Sequence, residues 1–238
     1  MIRTAQLDLP LVMSAQAQKH VTVNESLVRL DAAAQLRVSS SQTSEPPSSS
    51  VEGTSYLVPA NAEGEWLKQR GKIAVSSNGG WIYMAPKAGW RAWDEGLGGY
   101  TMFDGTAWIA DALAVSAGGA AIRWNVVEFE HRVLPGATSP TSVVIPDQAQ
   151  VYGVTGRVKE SLKGAGLTGW RIGVEGAADR YGARLGLSLN SYLIGLSGSP
   201  VTYYSETPLL LSAEGGDFAG GVIQLAVSYL RLSPPRAV

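Results

Sequence analysis

Tyrosines set among short polar residues are the part of this sequence best suited to holding a ligand: Leu189-Asn190-Ser191-Tyr192 and Val201-Thr202-Tyr203-Tyr204-Ser205. A phenol ring stacks on the apolar face of a pyranose, while hydroxyl and amide groups bond its hydroxyls. Tyr192, Tyr203 and Tyr204 are therefore candidate sugar-binding residues. Trp90 and Trp93, in the glycine-flanked stretch Ala88-Gly89-Trp90-Arg91-Ala92-Trp93-Asp94-Glu95-Gly96, offer a second stacking platform if their rings face solvent.

Catalytic chemistry finds less support. A glycosidase needs two carboxyls about 5–10 Å apart in space, and Asp94, Glu95, Asp104, Glu128 and Glu130 supply carboxyls without showing any such pairing. His20 and His131 stand far apart, with no metal-ligand spacing between them. The run Gly164-Ala165-Gly166-Leu167-Thr168-Gly169 matches a dinucleotide fingerprint by letter, but the strand-like Trp170-Arg171-Ile172-Gly173-Val174 follows where a phosphate-binding helix should begin. It reads as a loop. There is no Gly-x-Ser-x-Gly elbow and no cysteine. We therefore assign no catalytic residue, no metal ligand and no cofactor, and expect a protein that is not an enzyme.

Composition narrows the partners. The 238 residues suit two ordinary domains, and 28 glycines with 12 prolines point to an all-β chain rich in turns. With 19 basic and 20 acidic residues the net charge is −1, which leaves no electrostatic footprint for nucleic acid. No apolar run approaches the roughly 20 residues that span a bilayer, so no membrane insertion is expected. Asp8 and Pro10 interrupt any signal-peptide core. Attachment through stacking and hydroxyl hydrogen bonds should vary little with salt.

The elements that must position these residues follow from patterning. Thr22-x-x-Glu25 has the form of a capping box, and Leu27, Leu30, Ala34 and Val38 form one apolar stripe, which predicts a helix over about Val23 to Arg37. The stripe needs a partner, either the next module or another subunit. Residues 39–50, rich in serine with a Pro46-Pro47 step, read as a linker after the N-terminal segment 1–38. Residues 51–110 read as a small hairpin module holding Trp66, Trp81, Trp90, Trp93 and Trp108, with turns at Asn78-Gly79 and Asp104-Gly105. Residues 111–121, small and without periodicity, read as a connector. From 122 to 238 about eight short strand-like runs predict a β-sandwich, jelly-roll-like; Ile223, Leu225, Val227 and Tyr229 alternate with Gln224, Ala226 and Ser228 to give one buried face.

The stretch Leu9-Pro10-Leu11-Val12-Met13-Ser14-Ala15-Gln16-Ala17-Gln18-Lys19-His20-Val21-Thr22-Val23-Asn24-Glu25-Ser26-Leu27 resembles the N-terminal domain of unknown function carried by tail fibres and related adhesins of phages and gene transfer agents. The resemblance continues through Glu52-Gly53-x-x-Tyr56-Leu57-Val58 to Phe103-Asp104-Gly105-Thr106-Ala107-Trp108, about the first 110 residues. It implies a particle-borne fibre or spike, made in the host cytoplasm and acting outside, that binds a bacterial surface glycan. Residues 122–238 would bind, and the N-terminal region would meet other particle proteins. It also implies a homotrimer, with Leu27, Leu30, Ala34 and Val38 as candidate subunit contacts. The alternatives are a tail-spike depolymerase and a purely structural virion protein. A depolymerase would normally show long β-helix repeats, and none is evident.

Overall fold

The computed structural model describes residues 3–12 and 19–237, which form two compact units: Met1–Ala121 with Ser233–Val238, and Ile122–Leu232. Strands dominate both, as expected, and no described helix is long and apolar enough to cross a membrane.

In the first unit the helix α1 spans Lys19–Ala33, displaced toward the N-terminus from the sequence expectation. Thr22 therefore lies inside the helix and caps nothing. Glu25 pairs instead with Arg29 one turn on, at 2.8 Å. The helix ends where Gln35 takes a left-handed φ of 59°. The predicted stripe is shortened: Val38 belongs to a strand and is fully buried within its own unit, so it is no subunit contact, while Leu27 and Ala34 are half-buried and Leu30 is 55% exposed. The face that packs is Val28, Ala32 and, beyond the helix, Leu36. Asp31 shares that face, and a buried charge there breaks the apolar periodicity that would mark it in the sequence. Its carboxylate accepts from Thr4 Oγ1 at 2.7 Å, Gln6 N at 2.9 Å and Leu7 N at 2.5 Å, clamping the N-terminal segment to the helix.

Strands β1 (Arg37–Val38), β5 (Arg91–Asp94), β6 (Gly99–Phe103) and β7 (Trp108–Ala110) form one small sheet in that order. Strands β2 (Ser55–Leu57), β3 (Ile73–Ser77) and β4 (Gly80–Met84) form another. The segment after β1 joins them: Ser39 N donates to Ser55 O and Leu57 N donates to Ser40 O. The start of the serine-rich segment is thus tied into the module, and Ser44 O accepts from Glu63 N further along. Asn78 and Gly79 both take positive φ, the requirement of a tight I′ hairpin between β3 and β4. Asp104 Oδ1 accepts from the backbone N–H groups of Thr106 and Ala107, at 2.8 Å each, to close the second turn. Trp66 is fully buried and stacks edge-on against Trp81 at 5.2 Å, so these rings serve as core.

Within the expected connector, Ala112–Val115 forms a strand, β8. The C-terminal tail also departs from the sequence division, for it belongs by its contacts to the first unit. Arg236 pairs with the buried carboxylate of Asp104 and donates to Ala117 O at 2.9 Å. Burial pushes the Asp104 carboxyl up, but the N–H groups of Ala107 and Thr106 and the Arg236 guanidinium together hold it below the usual carboxylate value.

The second unit is an eight-stranded sandwich. Its strands are β9 (Ala121–Arg132), β10 (Thr138–Ile145), β11 (Ala149–Lys163), β12 (Gly169–Val174), β13 (Ala177–Leu185), β14 (Tyr192–Tyr203), β15 (Thr207–Glu214) and β16 (Gly220–Ser233). One sheet runs β10-β15-β12-β13, and the other contains β14-β11-β16-β9. Counted from one to eight, these orders are 2-7-4-5 and 6-3-8-1, the double Greek key of a jelly roll. The core between the sheets includes Ile223, Leu225 and Val227 from the alternating β16 face, with Trp170, Ile172 and Leu211 from the facing sheet. The sheets approach closely at Gly195, where a Cβ would lie 2.0 Å from Tyr181 O. His131, buried at the end of β9, bonds Ser139 Oγ through Nε2 at 2.8 Å, and burial lowers its pKa.

Candidate functional site

The outward side of the sheet β14-β11-β16-β9 carries the strongest candidate. Alternation along β14 turns Leu193 and Gly195 inward and leaves Tyr192, Ile194 and Leu196 exposed. Register then sets side chains of neighbouring strands in a row: Arg157 of β11 lies opposite both Tyr192 of β14 and Gln224 of β16. The Arg157 guanidinium carbon sits 5.6 Å from the Tyr192 ring centroid. Arg157 Nη1 donates to Asn190 O at 3.1 Å, which fixes the head of this long side chain. Gln224 Nε2 donates to Glu128 Oε1 of β9 at 2.9 Å. The row Tyr192, Arg157, Gln224 and Glu128 borders a shallow depression of about 370 Å³ that also takes in Thr155 and Ala226. A cationic fork, an aromatic ring, an amide and a carboxylate thus stand side by side in solvent, a set able to bond several hydroxyls of one sugar while a ring packs against it.

At the other end of the same sheet, Gln148, Gln150, Thr202, Tyr204, Leu230 and Leu232 line a second depression of about 390 Å³. Between the two lies the Trp124–Tyr152 ring contact, at 4.7 Å; Val126 of β9 and Leu196 of β14 are exposed as well, and Ile194 lines the first depression.

The residues chosen from sequence fare unequally. Tyr192 is 65% exposed and Tyr204 is 85% exposed, both on this sheet face. Tyr203 is 8% exposed, and its Oη bonds Tyr181 Oη at 2.7 Å inside the core. It is a core residue and not a stacking platform, because consecutive strand positions point to opposite sides. Trp90 is half-buried and packs against the core cluster of the first unit, so it too serves packing. Trp93 remains at the surface, 38% exposed and edge-on to Tyr100 at 5.0 Å. Nothing in the sequence marks Arg157 and Gln224, since only cross-strand register brings them to Tyr192.

Of the carboxylates, Asp94 and Asp104 are buried, Glu95 pairs with Arg37 at 3.1 Å, and Glu128 receives Gln224. The loop Gly164–Thr168 leads into strand β12 at Gly169, with no helix N-terminus beside it. Among the described residues, no group of three or more His, Asp or Glu is placed to hold a metal ion. A larger cleft of about 1100 Å³ lies in the first unit against α1, β3 and β4. Its charged walls are already matched, with Arg29 on Glu25, Lys72 on Gln69, and Glu52 on Ser77 and the Asn78 N–H. The smaller sheet-face site differs in setting an exposed guanidinium against an exposed ring.

Residues 23–109 match the family described as a protein of unknown function (DUF2793). The match runs from Val23, within the helix, through the tryptophan-bearing sheets and stops before the jelly roll. Among solved structures, the chain is similar to one from the cyanophage Pam1 capsid asymmetric unit, at 19% identity and a TM-score of 0.31, over 47% of this chain and 84% of that one. No curated protein matches.

Proposed function

We propose that this protein is a fibre or spike component on the surface of a phage or gene transfer agent, and that its jelly roll attaches the particle to a bacterial polysaccharide without cleaving it. The observation that carries the attachment reading is the row Tyr192, Arg157, Gln224 and Glu128, held in place on an exposed sheet face. The setting in a phage-like particle rests on the sequence resemblance of the first 110 residues. The first unit would face other particle proteins. Jelly rolls serve both as capsid and as lectin modules, which fits this assignment by analogy.

Each stacked ring contributes about 1 kcal/mol, so a single site is weak and many copies on one particle supply avidity. Tyr192→Ala should lower attachment of the full-length chain to encapsulated cells by about fivefold, and the Tyr192→Ala, Tyr204→Ala pair by more, with the circular dichroism spectrum unchanged. Attachment equal to wild type in the folded double variant would overturn this site. Clearing of the capsule by the purified chain would overturn the non-enzymatic assignment.

Ile194 and Leu196, exposed side by side on the outward side of the edge strand β14, favour a second role for that edge as a contact between copies, since adjacent exposed apolar side chains mark association surfaces. We place the seam of a homotrimer there. Light scattering of the full chain should give three times the monomer mass, falling to the monomer in an Ile194→Asp, Leu196→Asp variant. A wild-type monomer across the micromolar range would exclude this seam.

A further inference from the structure

We propose that the sugar recognised at the Tyr192 row carries a carboxylate, as in a hexuronic acid, and that Arg157 is the residue that holds it. The proposal rests on the attachment reading above and names its ligand class.

A guanidinium presents five N–H donors in a planar fork that matches the two oxygens of a carboxylate. In this chain Arg3, Arg29, Arg37, Arg231 and Arg236 each meet a carboxylate within 3.5 Å. Arg157 meets none among the described residues; Arg70, Arg91 and Arg171 meet none either, and of these four Arg157 is the one that lies over an aromatic ring and lines a depression. Its Nη1 is committed to Asn190 O and its planar head lies by the Tyr192 ring, which leaves the remaining N–H groups for an incoming anion. The head is therefore held before any ligand arrives, which reduces the entropy lost when the fork closes on one.

The acid of the row, Glu128, stands on β9, two strands from Arg157. Glu128 is bonded by Gln224, the residue opposite Arg157, so the amide stands between the cation and the anion. An acidic sugar entering the depression finds attraction at the Arg157 end and repulsion at the Glu128 end, and this fixes its direction. Gln224 Oε1 and the Thr155 hydroxyl are then within the same depression to bond ring hydroxyls, and Tyr192 can cover an apolar pyranose face. The chain's net charge of −1 gives no general attraction to polyanions, so selection for an acidic sugar must be local to such a fork.

The test uses the full-length protein and a panel of oligogalacturonides, alginate oligosaccharides and hyaluronan oligosaccharides, each also supplied with its carboxyls reduced to alcohols, together with dextran and a sulfated dextran. The expected result is that at least one uronic-acid oligomer binds, that its reduced form binds at least tenfold more weakly, and that Arg157→Gln loses the same factor on the acidic form and little on the reduced form. Arg157→Lys should recover only part, because a point charge lacks the fork. Equal binding of acidic, reduced and neutral oligomers, with Tyr192→Ala still weakening all of them, would overturn the carboxylate and leave the sugar site standing. Preference for sulfated dextran over every uronic acid would replace the carboxylate with another anion and overturn the proposal. Binding to nothing in the panel would overturn both the proposal and the sugar site.

Discussion

Trp170→Ala is expected to cost the jelly roll about 3–5 kcal/mol, the usual range for removing a large ring from a packed core. Trp170 is 2% exposed, contacts the cluster that both sheets share, and donates from Nε1 to Gly186 O at 3.0 Å. Truncation leaves a cavity and strips a carbonyl of its partner, two penalties of the same sign. Domains of this size hold only about 5–15 kcal/mol in total, so most of the unit's margin would go. Thermal or urea unfolding of the full chain should show the transition of residues 122–232 shifted by more than 10 °C, at about 4 °C or more per kcal/mol. A loss under about 1 kcal/mol would mean that the ring is not a packing centre of the sandwich. The same logic makes Tyr203→Ala a poor probe of attachment, since it would leave Tyr181 Oη without its buried partner.

Asp31→Ala is expected to release the N-terminal segment from α1. Three donors converge on this buried carboxylate, and hydrogen bonds to a charged group contribute about 1.5–3 kcal/mol each. The full sum is not reached, because the segment can leave the helix and find water, which caps the loss near the free energy of local detachment. Protection of the Gln6 and Leu7 amides against hydrogen exchange should fall at least tenfold, while amides of β3 and β4 keep theirs. Asp31→Asn retains one acceptor oxygen and should lie between the two. Unchanged protection at Gln6 and Leu7 in the alanine variant would show that the clamp does not hold the segment.

What the sequence disclosed follows from which forces are local. Asn78-Gly79 announced its hairpin because the turn needs two positive φ angles and few residue types adopt them. The buried face of β16 was visible as strict alternation, and eight strand-like runs implied a sandwich before any pairing was known. Patterning predicts the helix but not its buried face: apolar spacing selects Leu27, Leu30 and Ala34, whereas burial follows Val28, Asp31 and Ala32, centred on a charge whose partners lie about 25 residues away. In Tyr203-Tyr204 the period of two guaranteed that one ring faces in and one out, but not which. The irregular register of β11 against β14, between Val151 and Gly153, governs how residues 196–204 align with β11, and nothing in the sequence marks that shift. Arg157 stayed invisible for the same reason, since its neighbours Tyr192 and Gln224 come from strands 35 and 67 positions away.

The claim that the outer sheet face of the jelly roll is the attachment surface is tested most directly by hydrogen exchange of the full-length chain with and without the surface polysaccharide of cells to which it attaches. The account predicts added protection confined to residues 155–157, 192–194 and 224–226, where the row of Tyr192, Arg157 and Gln224 stands. Protection confined instead to residues 91–100, beneath Trp93 and Tyr100, or absent from both regions while the polysaccharide is bound, would contradict it.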